Sequence, residues 1–132
     1  MYKEIIISII ILIGIITLDQ ITQRYTKESM ESFSEKLSIM QEDLKEEIEK
    51  EKEEKNLEEE VKKLEIDWEE IYGKLAYFIE HDELEKIETQ LKELKGNVEV
   101  KQYAEAIPGI EKCKFILEHI KQKDAIHIQN IF

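Results

Sequence analysis

The chain opens on an uncharged apolar stretch, and repeating apolar stripes follow it for most of its length. Residues 5–18 read IIISIIILIGIITL, 14 residues without a charged side chain. As a helix this stretch is about 21 Å long, against a hydrocarbon core of about 30 Å. The span lengthens to 20 residues, from Tyr2 to Ile21, if the charged side chains near its two ends reach the membrane interface. The pattern predicts an N-terminal transmembrane helix over residues 1–18 that anchors the chain in the cell membrane.

Two other interpretations of this stretch stay open at the level of sequence. A charged start followed by an apolar run is also typical of a secretory signal peptide. The residues after Leu18, DQITQR, lack the pair of small residues that marks a cleavage site, which favours an uncleaved signal anchor. The third interpretation is a buried helix of a soluble protein.

A thin apolar stripe with alternating spacings of three and four residues follows the predicted anchor. Its members, called the seam below, are Met30, Phe33, Leu37, Met40 and Leu44. This is the heptad spacing of a coiled coil, so we assign residues 19–56 to a charged helical stalk. The seam is then a candidate self-association surface of a homo-oligomer. The alternative is that the segment folds back as one arm of a bundle.

Apolar stripes resume at Leu57 in a shifted phase, so we place a hinge or a coiled-coil discontinuity within residues 49–56. The stripes predict packed antiparallel helices over residues 57–79, from residue 84 to about 100, and from residue 103 onward. The last of these helices contains a kink at Pro108. Asp82 is the expected N-cap of the middle helix, and residues 126–132 are expected to pack back on the bundle. The fold class is therefore all-α: a transmembrane helix, a stalk, and an antiparallel three- to four-helix bundle over residues 57–132.

Composition narrows the range of functions. A formal net charge of −12 argues against DNA or RNA as a partner, because phosphate binding depends on clustered Lys and Arg. One cysteine, Cys113, excludes an internal disulfide and any site with several thiolates. No glycine-rich phosphate loop and no nucleophile motif is present in the sequence.

The candidate chemistry is limited to one group of polar and aromatic residues. The three histidines do not form H-E-x-x-H or a paired E-x-x-H pattern, so we assign no metal ligand, no cofactor and no catalytic residue. A ligand or partner surface is placed near the junction of the first two bundle helices, at Trp68, Tyr72, His81, Asp82 and Glu85. We expect most aromatic side chains of this part of the chain to be core, namely Trp68, Tyr72, Tyr77, Phe78 and Phe115.

Several short motifs carry a family resemblance. They are the apolar anchor, Asp67-Trp68, the run EHDELEKI at residues 80–87, and the ending IQNIF at residues 128–132. Together they resemble an uncharacterised family of small membrane-anchored proteins from spore-forming bacteria, catalogued as a domain of unknown function. The resemblance implies a single-span protein with a small helical domain outside the cytoplasm. It also implies a multi-span membrane protein encoded nearby as a candidate partner, and it implies no catalytic residues.

The charges around the predicted span favour the opposite topology, with the body of the chain in the cytoplasm. Only Lys3 precedes the apolar stretch, whereas Arg24, Lys27 and Lys36 follow it, and a bare count of these cations places the body of the chain in the cytoplasm. The resemblance decides our expectation of an extracytoplasmic body.

The sequence thus favours a non-enzymatic, membrane-anchored helical interaction module or accessory subunit of a membrane partner. The first alternative is an extracytoplasmic sensor or binding domain for a small ligand. The second alternative is a metal-dependent enzyme.

Overall fold

This computed structural model describes the backbone of residues 1–50 and 56–131 and the side chains of residues 1–49 and 56–123. Four helices make up this part of the chain. The helices are α1 (Tyr2–Lys50), α2 (Leu57–Leu75), α3 (His81–Glu99) and α4 (Tyr103–Ile131). No strand occurs among these residues. The predicted all-α class is confirmed.

The first helix joins the apolar stretch to the bundle without interruption. At 49 residues α1 is about 74 Å long. Its apolar N-terminal part has a mean hydropathy of 2.4 and none of it is buried by the rest of the chain. By length and composition it is one candidate membrane span, as a membrane anchor or a signal sequence would be.

The C-terminal half of α1 is one arm of a four-helix bundle. Each helix packs against its two neighbours in a closed ring, α1 against α2, α2 against α3, α3 against α4, and α4 against α1. Two contacts at different levels of each interface show that neighbouring helices run antiparallel. The first contacts are Lys74–Tyr25, Tyr72–His81, Lys123–Glu80 and Gln41–Glu111. The second contact at each interface is an ion pair. These pairs are Lys36–Asp67, Lys95–Glu65, His119–Glu83 and Lys121–Glu31.

The seam lies inside this bundle. All of its side chains are 0–1% exposed, and the Phe33 ring lies 5.3 Å from the Trp68 ring, tilted by 45°. The chain's own helices cover the seam in this structure, as in the alternative in which the segment folds back as one arm of a bundle, and self-association through the seam stays a prediction. The physical reason is that heptad spacing requires a packed helix but does not say which chain supplies it.

The turn between α2 and α3 differs from the expectation at both ends. Helix α2 ends at Leu75, four residues before the predicted end, and in the following turn Ile79 is buried while Phe78 is exposed. The predicted N-cap is wrong, because α3 begins at His81 with Glu80 as its N-cap. Asp82 lies in the first turn of α3 instead, where its negative charge is favoured by the positive end of the helix dipole.

A Schellman motif ends α3 and α4 follows at once. Lys101 adopts φ 60°, the Lys101 amide donates to the Val98 carbonyl at 3.1 Å, and the Gln102 amide donates to the Asn97 carbonyl at 2.8 Å. Helix α4 runs through Pro108 as one element, as predicted. Most of the predicted hinge, at residues 51–55, and the side chains of residues 126–132, on which their predicted packing depends, lie outside the described part of the chain.

The core expectation for the aromatic residues holds only in part. Trp68 is buried and Tyr72 is half-buried. Three other aromatic side chains are exposed, by 90% at Tyr77, 56% at Phe78 and 75% at Phe115. The apolar stripe therefore does not continue past the end of α2.

Candidate functional site

A groove between α2 and α3 holds two of the sequence-predicted site residues. Its volume is about 470 Å³, and its aromatic wall is formed by Trp68 and Tyr72, with Leu91 contributed by α3. Charged side chains line the rest of it: Glu65, Glu69, Glu88, Lys92 and Lys95. Two of the lining pairs are ion pairs, Lys95–Glu65 at 3.7 Å and Lys92–Glu88 at 3.6 Å.

A short polar chain leads from Tyr72, in the wall of this groove, to His81 and Glu85 of α3. The Tyr72 hydroxyl lies 3.0 Å from a ring nitrogen of His81, with the two rings 5.6 Å apart edge to face. His81 Nε2 lies 3.4 Å from Glu85 Oε1, and both side chains are more than half exposed. Water therefore competes for each of these contacts, and they tie the turn to α3 rather than forming an enclosed acid–base pair.

The remaining predicted residue, Asp82, lies on a different surface. It lines a shallow groove of about 750 Å³ between α3 and α4, together with Glu85, Lys86, Lys112 and Phe115. Glu85 is the residue that contributes to both places, through His81 on one side and this groove on the other. The five predicted residues thus do not form one site.

Two buried polar atoms have no hydrogen-bond partner in the described part of the chain, Trp68 Nε1 and Gln90 Oε1. Trp68 is 2% exposed and lines the α2–α3 groove, and Gln90 lines the α3–α4 groove. A buried polar group without a partner costs about 1–3 kcal/mol, which marks each as a point where a ligand or water would be stabilising. Sequence reasoning missed Gln90, because a glutamine on a helix face carries no signal that separates a groove wall from open surface.

The titratable groups with shifted pKa values have structural causes. A hydrogen bond from Lys123 lowers the pKa of Glu80, and a hydrogen bond to Glu31 raises the pKa of Lys121. Burial, with a smaller contribution from Glu93, raises the pKa of the Cys113 thiol to about 12. A thiol that stays protonated at neutral pH is a packing group and not a nucleophile.

The histidines are dispersed. His119 Nδ1 lies 2.9 Å from Glu83 Oε1 across the α3–α4 interface, whereas His81 contacts Tyr72 of α2. Within the residues whose side chains are described, no group of three or more His, Cys, Asp or Glu is arranged to hold a metal ion. The His127 side chain lies outside that range.

These features define a class: an antiparallel four-helix bundle whose first arm extends into a helix long and apolar enough to cross a membrane. The chain belongs to the family described as Domain of unknown function (DUF4363), whose model matches residues 20–131. The matched region begins just after the apolar stretch and contains the bundle arm of α1 as well as α2, α3 and α4. No curated protein and no solved structure matches the chain.

Proposed function

We propose that the chain is a non-enzymatic, membrane-anchored helical module that serves as an accessory subunit of a multi-span membrane protein, with its bundle outside the cytoplasm. The observation that carries this proposal is the continuity of α1, which is helical from Tyr2 to Lys50. An unbroken helix fixes the position of the bundle relative to the membrane. That property suits a subunit that docks beside a partner.

The apolar half of α1 has the properties that lipid or a partner helix requires. The two hydroxyls within its sequence donate to their own backbone, Ser8 to the Glu4 carbonyl at 2.9 Å and Thr17 to the Ile13 carbonyl at 2.8 Å. Polar groups that are satisfied within the helix are what a hydrocarbon environment demands. The isoleucines from Ile5 to Ile15 are 51–62% exposed, so the bundle does not need them for its own core.

The bundle half favours binding over chemistry. Its buried side chains are mainly apolar, and most of its polar contacts join exposed side chains. Charged side chains line much of the two open grooves, as they do the polar rim of a protein–protein interface.

The test is photo-crosslinking in intact cells. A photoreactive amino acid is placed in turn at five consecutive positions of the apolar stretch, Ile9, Ile10, Ile11, Leu12 and Ile13. A partner helix contacts one face of α1, so we expect adducts with a single multi-span membrane protein at positions three or four residues apart and not at the others. Adducts with lipid or with a second copy alone, at every position, would contradict the proposal.

Sidedness is tested with Ile39→Cys, which places a thiol on a side chain that is 59% exposed on the bundle surface. The natural Cys113 is 1% exposed and serves as the unlabelled control in the wild-type chain. Labelling of intact cells by a membrane-impermeant maleimide is the expected result. Labelling only after permeabilisation would place the bundle in the cytoplasm.

A second candidate function, binding of a small ligand, is favoured by the unpartnered Trp68 Nε1 beside the α2–α3 groove. An indole N–H donor suits a small neutral ligand with a carbonyl or hydroxyl acceptor, because Lys92 and Lys95 of this groove are already paired with Glu88 and Glu65. Trp68 is the single tryptophan, so its emission reports binding directly. Titration with small amides and alcohols should give a saturable change, and a linear response at all concentrations would count against a site.

A further inference from the structure

The side-chain contacts between α1 and α2 identify which end of the bundle is close to the apolar stretch. Phe33 stacks on Trp68, and Lys36 Nζ lies 2.8 Å from Asp67. Nearer to the apolar stretch, Lys74 Nζ lies 5.6 Å from the centre of the Tyr25 ring. Helix α2 therefore runs back along α1 toward the apolar stretch and ends beside it. The turn of residues 76–80, called the aromatic turn below, is at the end of the bundle from which that stretch emerges.

The aromatic turn presents two consecutive rings to its surroundings. Tyr77 is 90% exposed and Phe78 is 56% exposed, while the next residue, Ile79, is 8% exposed and belongs to the core. Backbone hydrogen bonds from Phe78 and Ile79 to the Leu75 carbonyl, at 2.9 and 3.0 Å, fix the turn. Ile79 thus holds the turn in place with the two aromatic rings directed away from the core.

The opposite end of the bundle has a different character. The turn between α3 and α4 contains Val100, which is 64% exposed, and the exposed polar residues Lys101 and Gln102, and it has no aromatic residue. A loop between antiparallel helices normally carries such polar residues, because water solvates them at no cost. The aromatic pair is therefore a property of the end near the apolar stretch and not of the connections in general.

The level of the aromatic turn matches the surface of a bilayer that contains the apolar stretch. Continuing the Phe33–Trp68 register by antiparallel steps places Tyr77 near the level of Arg24 in α1. At about 1.5 Å per residue, that level is about 9 Å beyond Leu18 and about 5 Å beyond Ile21. The headgroup layer on each side of the hydrocarbon core is roughly 5–8 Å thick, so the rings are within reach of it.

We propose that Tyr77 and Phe78 insert into the headgroup layer of the leaflet from which α1 emerges. The protein is then attached to the membrane at two places, the span itself and the aromatic turn. These two attachments fix the tilt of the bundle relative to the membrane. Tyrosine prefers this layer because its ring is apolar and its hydroxyl is polar. A phenylalanine ring beside it adds apolar area that reaches the boundary between headgroups and acyl chains. A hydrogen bond of 2.8 Å from Lys123 to Glu80 ties α4 to the same turn, so the turn moves with the whole bundle. This inference rests on the membrane anchoring that is part of the proposed function.

The test uses the full chain in phosphatidylcholine–phosphatidylglycerol vesicles, with the variant Phe78→Trp and a lipid that carries a quencher at its headgroup. The wild-type chain, whose single tryptophan is the buried Trp68, supplies the background emission to subtract. The matched control is Phe115→Trp on α4, 75% exposed. Contacts of α4 with Gln41 and Glu31 place this residue near the level of Leu37. That level is about 30 Å from the end of the apolar stretch.

We expect the headgroup quencher to reduce the emission of Trp at position 78 about two-fold and to leave position 115 unchanged. Iodide in the aqueous phase should give the reverse order. Quenching of position 78 by iodide but not by lipid would overturn the inference, since the turn would then be in water. Quenching by neither would also overturn it, since a protein surface would then cover the turn.

Flotation of the vesicles separates these outcomes from a failure of the proposed function. A chain that does not float with the vesicles is not anchored, and the proposed function fails together with this inference. A chain that floats with an unquenched position 78 leaves the anchor in place and removes the aromatic contact alone.

Discussion

The substitution Leu37→Ala tests most directly how α1 is packed. Leu37 is 0% exposed in the bundle core, whereas Ile39, two residues further along the same helix, is 59% exposed. Replacing a fully buried leucine by alanine costs about 2–5 kcal/mol, because apolar contact is lost and a cavity remains. We expect Leu37→Ala to lower the free energy of unfolding by about 3 kcal/mol and Ile39→Ala to change it by less than about 0.5 kcal/mol.

The expected loss is a large part of the stability of such a domain, which is about 5–15 kcal/mol. For a domain of about 110 residues, a change of 1 kcal/mol shifts the unfolding midpoint by about 4 °C. Leu37→Ala should therefore unfold about 12 °C below the wild-type chain, and Ile39→Ala within about 2 °C of it. Both variants keep the helix propensity of α1 intact, because alanine is the strongest helix former.

The assay is thermal unfolding of the intact chain in detergent micelles, followed by circular dichroism at two protein concentrations about ten-fold apart. The helices that cover Leu37 belong to the same chain, so the midpoints should not depend on concentration. Equal midpoints for the two variants would refute the placement of Leu37 in the core. A wild-type midpoint that rises with concentration, and a defect in Leu37→Ala that concentration rescues, would show that the seam joins separate chains.

Three further outcomes follow from the structure. Lys101→Gly should raise the free energy of unfolding by about 0.5–1 kcal/mol, because Lys101 adopts φ 60° and a side chain is disfavoured there; a lower urea midpoint would contradict this. The unfolded Cys113 thiol ionises near pH 9 and the folded one near pH 12. Above pH 9 the wild-type chain should therefore lose stability relative to Cys113→Ala by about 1.4 kcal/mol per pH unit, with no such slope below about pH 8. Ile10→Glu/Ile13→Glu should release the chain from membranes while its unfolding midpoint in detergent stays within about 2 °C of wild type; a chain that is released and unfolded would show that the apolar stretch supports the bundle.

The apolar stripes of this chain predicted the helices well because each stripe records a buried face. Phe33 and Leu37 recur with the spacing that a packed helix requires, and so do Ile87 and Leu91 in α3. The spacing does not record what covers the face. An arm of a bundle and a strand of an oligomeric coiled coil have the same pattern, and the register that separates them is set by contacts such as Phe33–Trp68, 35 residues apart.

The sequence pattern did not predict where α2 ends, and the reason is a different one. Phe78 continues the spacing of three and four residues, yet the helix ends at Leu75 and the next turn buries Ile79 instead. Which of two adjacent apolar residues enters the core depends on where α3 approaches. The N-cap of α3 follows from the same turn: Glu80 has the extended ψ of 130°, so its carbonyl begins the helix before Asp82 can act as the cap.

The candidate site was predicted in its parts and not in its arrangement. A helix junction near His81 was enough to predict that His81 lies close to Tyr72, because a tight turn brings the start of the second helix beside the end of the first. The same reasoning placed Asp82 with them, although successive residues of a helix point about 100° apart. That angle directs Asp82 into the α3–α4 groove, away from Trp68.

The two halves of α1 follow different physical rules. From Thr26 onward its buried residues occupy one face and pack against α2 and α4. Over residues 5–18 apolar side chains surround the helix on nearly all sides, and the rest of the chain buries none of them. A stretch that is apolar on every face and does not touch the bundle adds nothing to the stability of the bundle. Its composition therefore suits an environment outside the chain. Since no break in the helix separates the halves, whatever holds the first half also fixes the position of the second.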